Sequence, residues 1–382
     1  MKNTTFGTGT AAGLTLAALL VAGSAVAQDA SVSGFQRVSG KISQDLSLRD
    51  NFNFNGSGFS WNTTSRLAVT LRAENSRSQF SANTGTGFRL NSNGNGSFIE
   101  PALGLRFATG TKGLNINASA NYSDTDISFD EVQPDLSTVA VSGDREALRL
   151  SFGANSALNR TTSVAVSANY GTVQFSPSTV SLVDTTNYGI SATMNHQVSQ
   201  RTRVSLTGGL SFFEPDTGLD AVTTSVGGGV NHALDRTTTV NANFGIALSE
   251  TDLSGGGSNT DSNFTHGFGL SRQLPSGSLT ASLRQQIVPS ASGALQVNTG
   301  LRAGYSERIN QRERFGLNAS YDIQEGLSGS GSTTFLSVTP NYSVQLGPDV
   351  SASAAYSLQR NDAGNFAQSL NFSLSKDFNL PF

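Results

Sequence analysis

Histidine is the side chain best suited to acid–base catalysis near neutral pH and to metal binding, and this chain has three. His196, His232 and His266 share the parity of the large apolar residues around them. They are not placed to act together as metal ligands or to pair with a serine on the polar side of their strands. A serine–histidine pair on the apolar side stays open as an alternative. We therefore predict that the protein is not an enzyme and holds no metal.

Glycine-rich loops and cysteines are the other common carriers of chemistry. The cluster Gly255-Gly256-Gly257 precedes no helix, so it does not predict a phosphate-binding loop. The chain has no cysteine, which excludes disulfides, thiol catalysis and cysteine-ligated metals. The sequence therefore predicts no cofactor.

Arginines interrupt several otherwise uncharged segments, always at a position of polar parity. Arg106 lies between Leu105 and Phe107, for example. An arginine at the midplane of a lipid bilayer costs about 2–4 kcal/mol, so such side chains must avoid a lipid-facing side. If the apolar side faces lipid, these residues line a water-filled interior. They are Arg72, Arg106, Arg149, Arg284 and Arg302.

Alternation of apolar and polar residues extends from about Ile42 to the end of the chain. Near the end, Leu370, Phe372 and Leu374 alternate with Ser and Asn. Side chains alternate across a β-strand, so this pattern predicts strands with one apolar and one polar face. The runs are about ten residues long, which is the length of a tilted membrane-crossing strand.

Turn residues divide this pattern into hairpins. Eight short turns, such as Asn75-Ser76-Arg77 and Leu234-Asp235-Arg236, alternate with longer segments rich in Gly, Ser and Asp. Eight hairpins predict sixteen strands, and an opening strand near Ile42 and a closing strand from Phe366 bring the number to eighteen. Sixteen stays open as an alternative, because the first hundred residues are the least regular.

Composition and the N-terminal segment agree with an exported β-protein. Only 13% of the residues are charged and 36% are hydrophobic, and the net charge of −3 argues against a nucleic-acid binder. Residues 1–27 have a lysine, a short apolar run and the small-residue sequence Ala25-Val26-Ala27, which predict a cleaved signal peptide. No mature segment is apolar for 18 residues, so a membrane-spanning structure must be a closed barrel. We expect residues 28–41 to form a periplasmic lead and residues 42–382 to form the barrel.

Tyrosine positions support an outer face in lipid. All seven tyrosines have the apolar parity and fall at two distances from the short turns, which favours two interfacial girdles. They are Tyr122, Tyr170, Tyr188, Tyr305, Tyr321, Tyr342 and Tyr356.

These features together resemble a Gram-negative outer-membrane β-barrel of the porin type, over essentially all of residues 42–382. The terminal Phe378, Leu380 and Phe382 are similar to the C-terminal assembly signal of that family. The resemblance implies an all-β, transmembrane, antiparallel up-and-down barrel with short periplasmic turns and long outer loops.

The resemblance also implies a role for the long segment 125–144, although this chain lacks the Pro-Glu-Phe-Gly run of general porins. In porins the corresponding loop folds into the lumen and faces a wall of arginines. The loop acids here would then narrow the pore opposite Arg72, Arg106 and Arg149; an acidic surface loop is the alternative. The acids are Asp126, Asp130, Glu131 and Asp135.

We therefore expect an outer-membrane channel for passive diffusion of small polar solutes, exported through the periplasm. A non-conducting structural or adhesive barrel and a soluble β-protein are the alternatives. The expected partners are outer-membrane lipid, lipopolysaccharide, the barrel-assembly machinery, the solutes and further copies of the chain, but no nucleic acid.

Overall fold

The computed structural model describes residues 35–50, 59–92, 94, 96–126, 144–176, 182–252, 257–290, 292–327 and 332–380. The predicted signal peptide, Asp130, Glu131, Asp135 and Phe382 lie outside these residues. Among the described residues, no helix is long and apolar enough to cross a membrane.

Eighteen strands form one antiparallel sheet that closes on itself. The first nine are β1 (Phe35–Asp50), β2 (Phe59–Glu74), β3 (Ser78–Asn91), β4 (Gly96–Gly110), β5 (Leu114–Asp126), β6 (Asp144–Ala157), β7 (Thr162–Ser176), β8 (Thr185–Gln197) and β9 (Thr202–Pro215). The other nine are β10 (Ala221–Ala233), β11 (Thr238–Asp252), β12 (Ser258–Gln273), β13 (Gly277–Pro289), β14 (Leu295–Arg308), β15 (Glu313–Gly326), β16 (Ser332–Gln345), β17 (Val350–Asn361) and β18 (Phe366–Leu380).

Closure occurs between the first and last strands. β1 pairs with β2 on one side and with β18 on the other, so every strand has two neighbours and the topology is up-and-down. The prediction of an eighteen-stranded antiparallel barrel is confirmed, and the alternative of sixteen strands is wrong. All eight short turns connect the strand pairs expected from the sequence.

The first strand begins earlier than the sequence indicates. β1 starts at Phe35, so residues 35–41 already belong to the sheet, whereas the sequence predicts a barrel that begins at residue 42. Gly40 hides this extension, because it leaves a gap in the apolar alternation between Val38 and Ile42. The ring of Phe378 on β18 covers Gly40, and a Cβ at that glycine would overlap the ring. An aromatic ring from the last strand thus fills the gap where the barrel closes.

Alternation sorts the side chains into an outward and an inward face. The outward face carries the large apolar residues, including Ile190, Leu206 and Phe244, which are exposed as a lipid-facing surface requires. The inward face carries mainly Ser, Thr, Asn and Gly. The strands have 12 to 16 residues, so they are longer than the hydrocarbon layer of a membrane and their ends extend beyond it.

A recurring side-chain cap shapes the turns on the short-turn side. Asp235 Oδ1 accepts hydrogen bonds from the N–H groups of Thr237 (2.6 Å) and Thr238 (2.8 Å) and from the Thr237 hydroxyl (2.7 Å). Asn159 and Asn310 accept the equivalent backbone bonds in their own turns. These Asx turns connect the two strands of each hairpin at the spacing of hydrogen-bonded β-strands.

Substitution of Asp235 tests this cap. The hydrogen bonds from Thr237 and Thr238 lower the pKa of Asp235 from 3.8 to about 2. A lowered pKa means that the carboxylate supports the fold above pH 3.8 and loses that effect as the pH falls toward 2. We expect Asp235→Ala to lower the urea midpoint of the refolded barrel at pH 7. Asp235→Asn keeps the acceptor, as Asn159 shows, and is expected to leave the midpoint nearly unchanged; equal losses would contradict a capping role.

In two hairpins, the pairing between the two strands stops before the strands themselves end. The β4–β5 pairing stops at Leu103 and Tyr122, and the β12–β13 pairing stops at His266 and Gln285. β12 continues for eight residues beyond that point and β13 for four. Both separations lie in the half of the barrel away from the short turns.

Candidate functional site: the lumen of the barrel

The wall of the lumen is made of small polar side chains that bond to one another across the strands. The Ser119 and Ser151 hydroxyls are 2.7 Å apart, as are those of Ser167 and Ser191. Because these side chains are short and mutually bonded, they leave the interior wide. An eighteen-stranded barrel of this composition has room for an aqueous channel.

Glycine and asparagine stand opposite each other at many points of this wall. In each pair the amide side chain lies over the glycine, and a Cβ there would overlap or crowd the amide. The amides therefore lie flat against the wall instead of projecting into the channel. The pairs are Asn83–Gly104, Asn115–Gly110, Asn117–Gly153, Asn187–Gly171, Asn241–Gly269, Asn243–Gly267 and Asn341–Gly316.

Charged residues of the described strands are sorted by face. Fourteen basic side chains point inward against five acids. The inward bases are Arg37, Lys41, Arg49, Arg66, Arg72, Arg89, Arg106, Arg145, Arg149, Arg203, Arg284, Arg302, Arg308 and Arg314, and the inward acids are Asp45, Glu74, Asp261, Asp322 and Asp377. The lumen therefore carries a positive field although the chain as a whole is slightly acidic.

The outward face has the opposite balance, with ten acids against three bases among the strand side chains that the structure describes. The acids are Asp50, Asp124, Asp144, Glu146, Glu214, Glu250, Asp252, Glu307, Glu313 and Glu325, and the bases are Arg272, Arg360 and Lys376. Eight of these acids lie at the strand ends away from the short turns.

A cavity in the lumen has a volume of about 840 Å³. Arg145 and Arg149 of β6 line one side, and Arg284 and Arg302 line the side formed by β13 and β14. Asp322 Oδ1 lies 3.8 Å from Arg302 Nη2 and has no hydrogen-bond partner. Four guanidinium groups and one carboxylate thus surround a space that is large enough for a small organic molecule.

The described end of the β7–β8 loop, residues 182–184, packs inside the barrel near its outer end. Leu182 and Val183, which precede β8, are 1% and 7% exposed. Phe175 and Phe213, both on the inward face, are buried at the same end. Gly293, in the loop after β13, lies against Val183: a Cβ there would be 3.0 Å from Val183 Cγ1. Apolar packing therefore narrows this mouth. The β5–β6 loop, for which the sequence predicts such a role, lies outside the described residues from 127 to 143.

Asp184 fastens this loop to the wall. Its Oδ1 accepts a hydrogen bond from the Phe175 N–H (2.8 Å), and its carbonyl accepts one from the Asp216 N–H (2.9 Å). Burial raises the pKa of Asp184 above 3.8; the bond from Phe175 opposes this shift and the charge of Asp216 adds to it. Packing of the loop against the wall, which we call docking, therefore disfavours the ionised form of the Asp184 carboxylate.

Acidification is expected to strengthen the docking of this loop. A raised pKa means that the protonated form favours the docked state, and that this contribution is lost as the pH rises through the pKa of the folded protein. In a conducting barrel, we expect closures of the outer mouth to become longer between pH 7 and pH about 4. Asp184→Asn, a neutral side chain that keeps the Oδ1 acceptor, should remove most of this pH dependence. An unchanged pH dependence in the variant would assign it to other groups.

The five arginines that the sequence predicts to line the interior all lie at inward-facing positions, but they do not form one group. Arg149, Arg284 and Arg302 line the large cavity, whereas Arg72 and Arg106 face the lumen outside it. Sequence reasoning missed Arg145, the fourth arginine of the cavity. Arg145 and Arg149 are four residues apart on β6 and share the inward parity, and this shared parity is the signal that identifies Arg145. Of the predicted constriction acids, Asp126 is the last residue of β5.

The seven tyrosines lie on the outward face, and several bond to neighbouring polar groups. Tyr188 donates to Glu214 (2.6 Å), Tyr305 to Glu307 (2.5 Å) and Tyr356 to Gln368 (2.7 Å). Tyr305 and Tyr342 lie close to the short turns. The other five, Tyr122, Tyr170, Tyr188, Tyr321 and Tyr356, lie further along their strands.

The histidines face outward and form no catalytic constellation among the described residues. His196 Nδ1 lies 3.0 Å from the Thr162 hydroxyl, and His232 Nδ1 lies 2.9 Å from that of Thr202. No group of three or more potential metal ligands occurs in the described part of the chain. Phe378 and Leu380 of the predicted assembly signal lie in β18.

Comparisons with known proteins establish the fold. No protein-family model matches the sequence, and no curated protein matches it. The structure is similar to OpdL of Pseudomonas aeruginosa (10% identity, 91% of this chain and 99% of that chain, TM-score 0.53). It is also similar to a BenF-like porin from Pseudomonas fluorescens Pf-5 (9%, 90% and 99%, 0.54) and to OccAB4 of Acinetobacter baumannii (9%, 90% and 98%, 0.53). At these identities the likeness concerns the fold, which is that of a bacterial outer-membrane porin-like barrel.

Proposed function

We propose that the protein is a porin-like channel of the outer membrane through which small polar solutes diffuse, and that it prefers anions. The observation that carries the proposal is the sorting of fourteen bases and five acids onto the inward face of the described strands. A positive lumen raises the local concentration of anions and repels cations of similar size. The cavity around Arg149, Arg284 and Arg302 is where we expect the strongest selection.

Carboxylates are the solutes that fit this cavity best. Guanidinium groups bind carboxylates through paired, charge-assisted hydrogen bonds, and the flat amides of the wall add neutral donors. One structure with a similar fold is that of Pseudomonas aeruginosa OpdK with vanillate, an aromatic carboxylate (10% identity, TM-score 0.52). The volume of about 840 Å³ accommodates a solute of that size together with water.

Recordings from single channels in planar bilayers test the proposal. We expect discrete conductance steps and, in a KCl gradient, a reversal potential that reports preference for chloride. Aromatic carboxylates should reduce the current in a concentration-dependent way. A cation-selective reversal potential would contradict the assigned preference.

A non-conducting structural or adhesive barrel is the second candidate. The apolar packing of Leu182, Val183, Phe175 and Phe213 favours it, because this packing narrows the outer mouth. Absence of conductance steps from properly folded, heat-modifiable protein would support this candidate and overturn the channel.

The outward face indicates how the barrel would meet its surroundings. Acids at the outer strand ends, such as Glu146 and Glu250, are suited to divalent cations that bridge to lipopolysaccharide phosphates. Gln44 bonds to Thr63 (2.6 Å) and Ser65 (2.5 Å) on the outward face of β1 and β2, amid apolar neighbours. We propose this polar patch as the place where further copies of the chain associate, and cross-linking in membranes would test it.

A further inference from the structure

The wall of the barrel is interrupted between β12 and β13. Pairing runs for eight residues from the short turn and ends at His266 and Gln285. Beyond that point Phe264 and its neighbours pair only with β11, and Ile287 and its neighbours pair only with β14. The two strands therefore present unpaired edges to each other in the outer half of the barrel. We call this opening the seam.

The seam begins within the apolar band of the outward face. Phe264 is 55% exposed on one edge, and Ile246 lies opposite it on β11. On the other edge Ile287 lies opposite Val297. A strand edge without partners is strongly unfavourable in hydrocarbon, because its N–H and C=O groups cannot bond there. Water must therefore reach the seam from the lumen.

The arginine-lined cavity lies directly behind the seam. Its lining includes Gly267 on β12 and Arg284, Gln286 and Val288 on β13, of which the last two belong to the unpaired part of that strand. Outside, the rings of Phe264 and Phe268 flank His266 at centroid distances of 5.7 and 6.0 Å. The Nδ1 atom of His266 is buried and has no hydrogen-bond partner. A cationic interior thus meets an aromatic, lipid-facing edge at one opening.

We propose that the seam is a lateral portal for anionic amphiphiles, which bind with the head group at Arg284 and Arg302 and the hydrocarbon tail between Phe264 and Ile287. Such molecules pass between the lumen and the outer leaflet without crossing the mouth. This inference rests on the proposed anion channel, because it uses the same cavity. It adds a second exit and a second class of solute.

Current block by alkylsulfonates of increasing length tests the portal. A tail that reaches lipid gains burial with every methylene, so the blocked time should lengthen about fourfold for each CH2 between hexane- and decanesulfonate. Continued by one residue, the β12–β13 register would place Thr265 opposite Gln286. A disulfide between Thr265→Cys and Gln286→Cys, introduced into a chain that has no other cysteine, closes the seam. We expect it to abolish the dependence on chain length, and we expect reduction of the disulfide in the same variant to restore that dependence.

Two controls separate closure of the seam from general damage. The disulfide between Thr193→Cys and Thr207→Cys lies in an intact ladder and should change nothing. Without cross-linking, Phe264→Asn should shorten the time for which decanesulfonate blocks the current, but not the time for methanesulfonate. Phe372→Asn, in the β17–β18 ladder, should change neither blocked time. Equal chain-length dependence with the seam open and closed would overturn the portal and leave the anion channel intact.

Photolabelling tests the portal independently of conduction. A decanesulfonate with a diazirine at the end of its tail should label the edges of the seam in proteoliposomes. Decyltrimethylammonium with the same tail diazirine reports background labelling from lipid. Enrichment of the sulfonate at residues 262–265 and 286–289 supports the portal even if the protein shows no conductance steps. Equal labelling by the two probes would overturn it.

Discussion

Exchange of Arg149, Arg284 and Arg302 for glutamate is expected to reverse the sign of the ion preference. The three side chains line one cavity, and the exchange replaces three positive charges by three negative ones next to Asp322. Only Arg145 remains as a base in that cavity. In a confined space the local charge decides which ion enters, so the reversal potential in a KCl gradient should change from chloride-selective to potassium-selective.

Matched variants show whether position or total charge is responsible. Arg160, Arg236 and Arg312 lie in short turns, outside the cavity, and their exchange for glutamate changes the net charge by the same amount. At 0.1 M salt, charges further than about 10 Å from the path are largely screened, so this triple variant should keep its anion preference. Glutamine at the three cavity positions should give intermediate selectivity. Equal effects of both glutamate triples would indicate that surface charge, and not the cavity, selects the ions.

Introduction of an arginine on the outward face is expected to have the largest effect on assembly. Ala192 lies between the levels of Tyr188 and His196 on the lipid-facing side of β8, whereas Ser191 is the adjacent inward residue. Arginine at the bilayer midplane costs about 2–4 kcal/mol, which corresponds to a roughly 30- to 1,000-fold loss in the folding equilibrium. Ala192→Arg should therefore lower the heat-modifiable fraction strongly, and Ser191→Arg should leave it nearly intact.

This pair of variants also tests the premise that lipid covers the outward face. Both substitutions add the same side chain to a small residue on the same strand, so strand propensity and net charge change alike. A soluble β-protein would tolerate both on an aqueous surface. Urea titration of barrels refolded into vesicles gives the free energy of unfolding directly, and equal midpoints would contradict the membrane-spanning orientation.

The sequence was sufficient to predict the barrel and to favour eighteen strands over sixteen, because alternation and turn chemistry are local signals. Leu105, Arg106 and Phe107 already show which side of β4 faces which medium, and Asp235 already predicts a turn. The first hundred residues were harder to interpret, because Thr63, Ser65, Thr84 and Thr86 place polar groups on the outward face. A register shift opposite Gly85–Gly87 further disturbs the pattern in β4.

Features that depend on contacts between distant segments could not be predicted in this way. Leu182 and Val183 are apolar residues in a polar loop, and nothing in the local sequence predicts their burial or the contact of Val183 with Gly293. The end of the β12–β13 pairing is equally hard to predict: the polar residues His266 and Gln285 stand on the outward face there, but Phe264 and Ile287 resume the apolar parity of their strands. Parity predicts which face a residue occupies, but not where two neighbouring strands separate or which arginines share a cavity.

The glycine–asparagine pairs of the wall make the bore of this barrel adjustable. At Asn241–Gly269, the amide occupies the space that a methyl group would fill, so Gly269→Ala would lift one amide toward the channel axis. Each pair is a separate position at which the radius can be reduced by a fraction of a side chain, with no change in strand number or tilt. Seven such positions at different heights would let an engineer set the profile of a nanopore gradually, as a series of apertures along one tube.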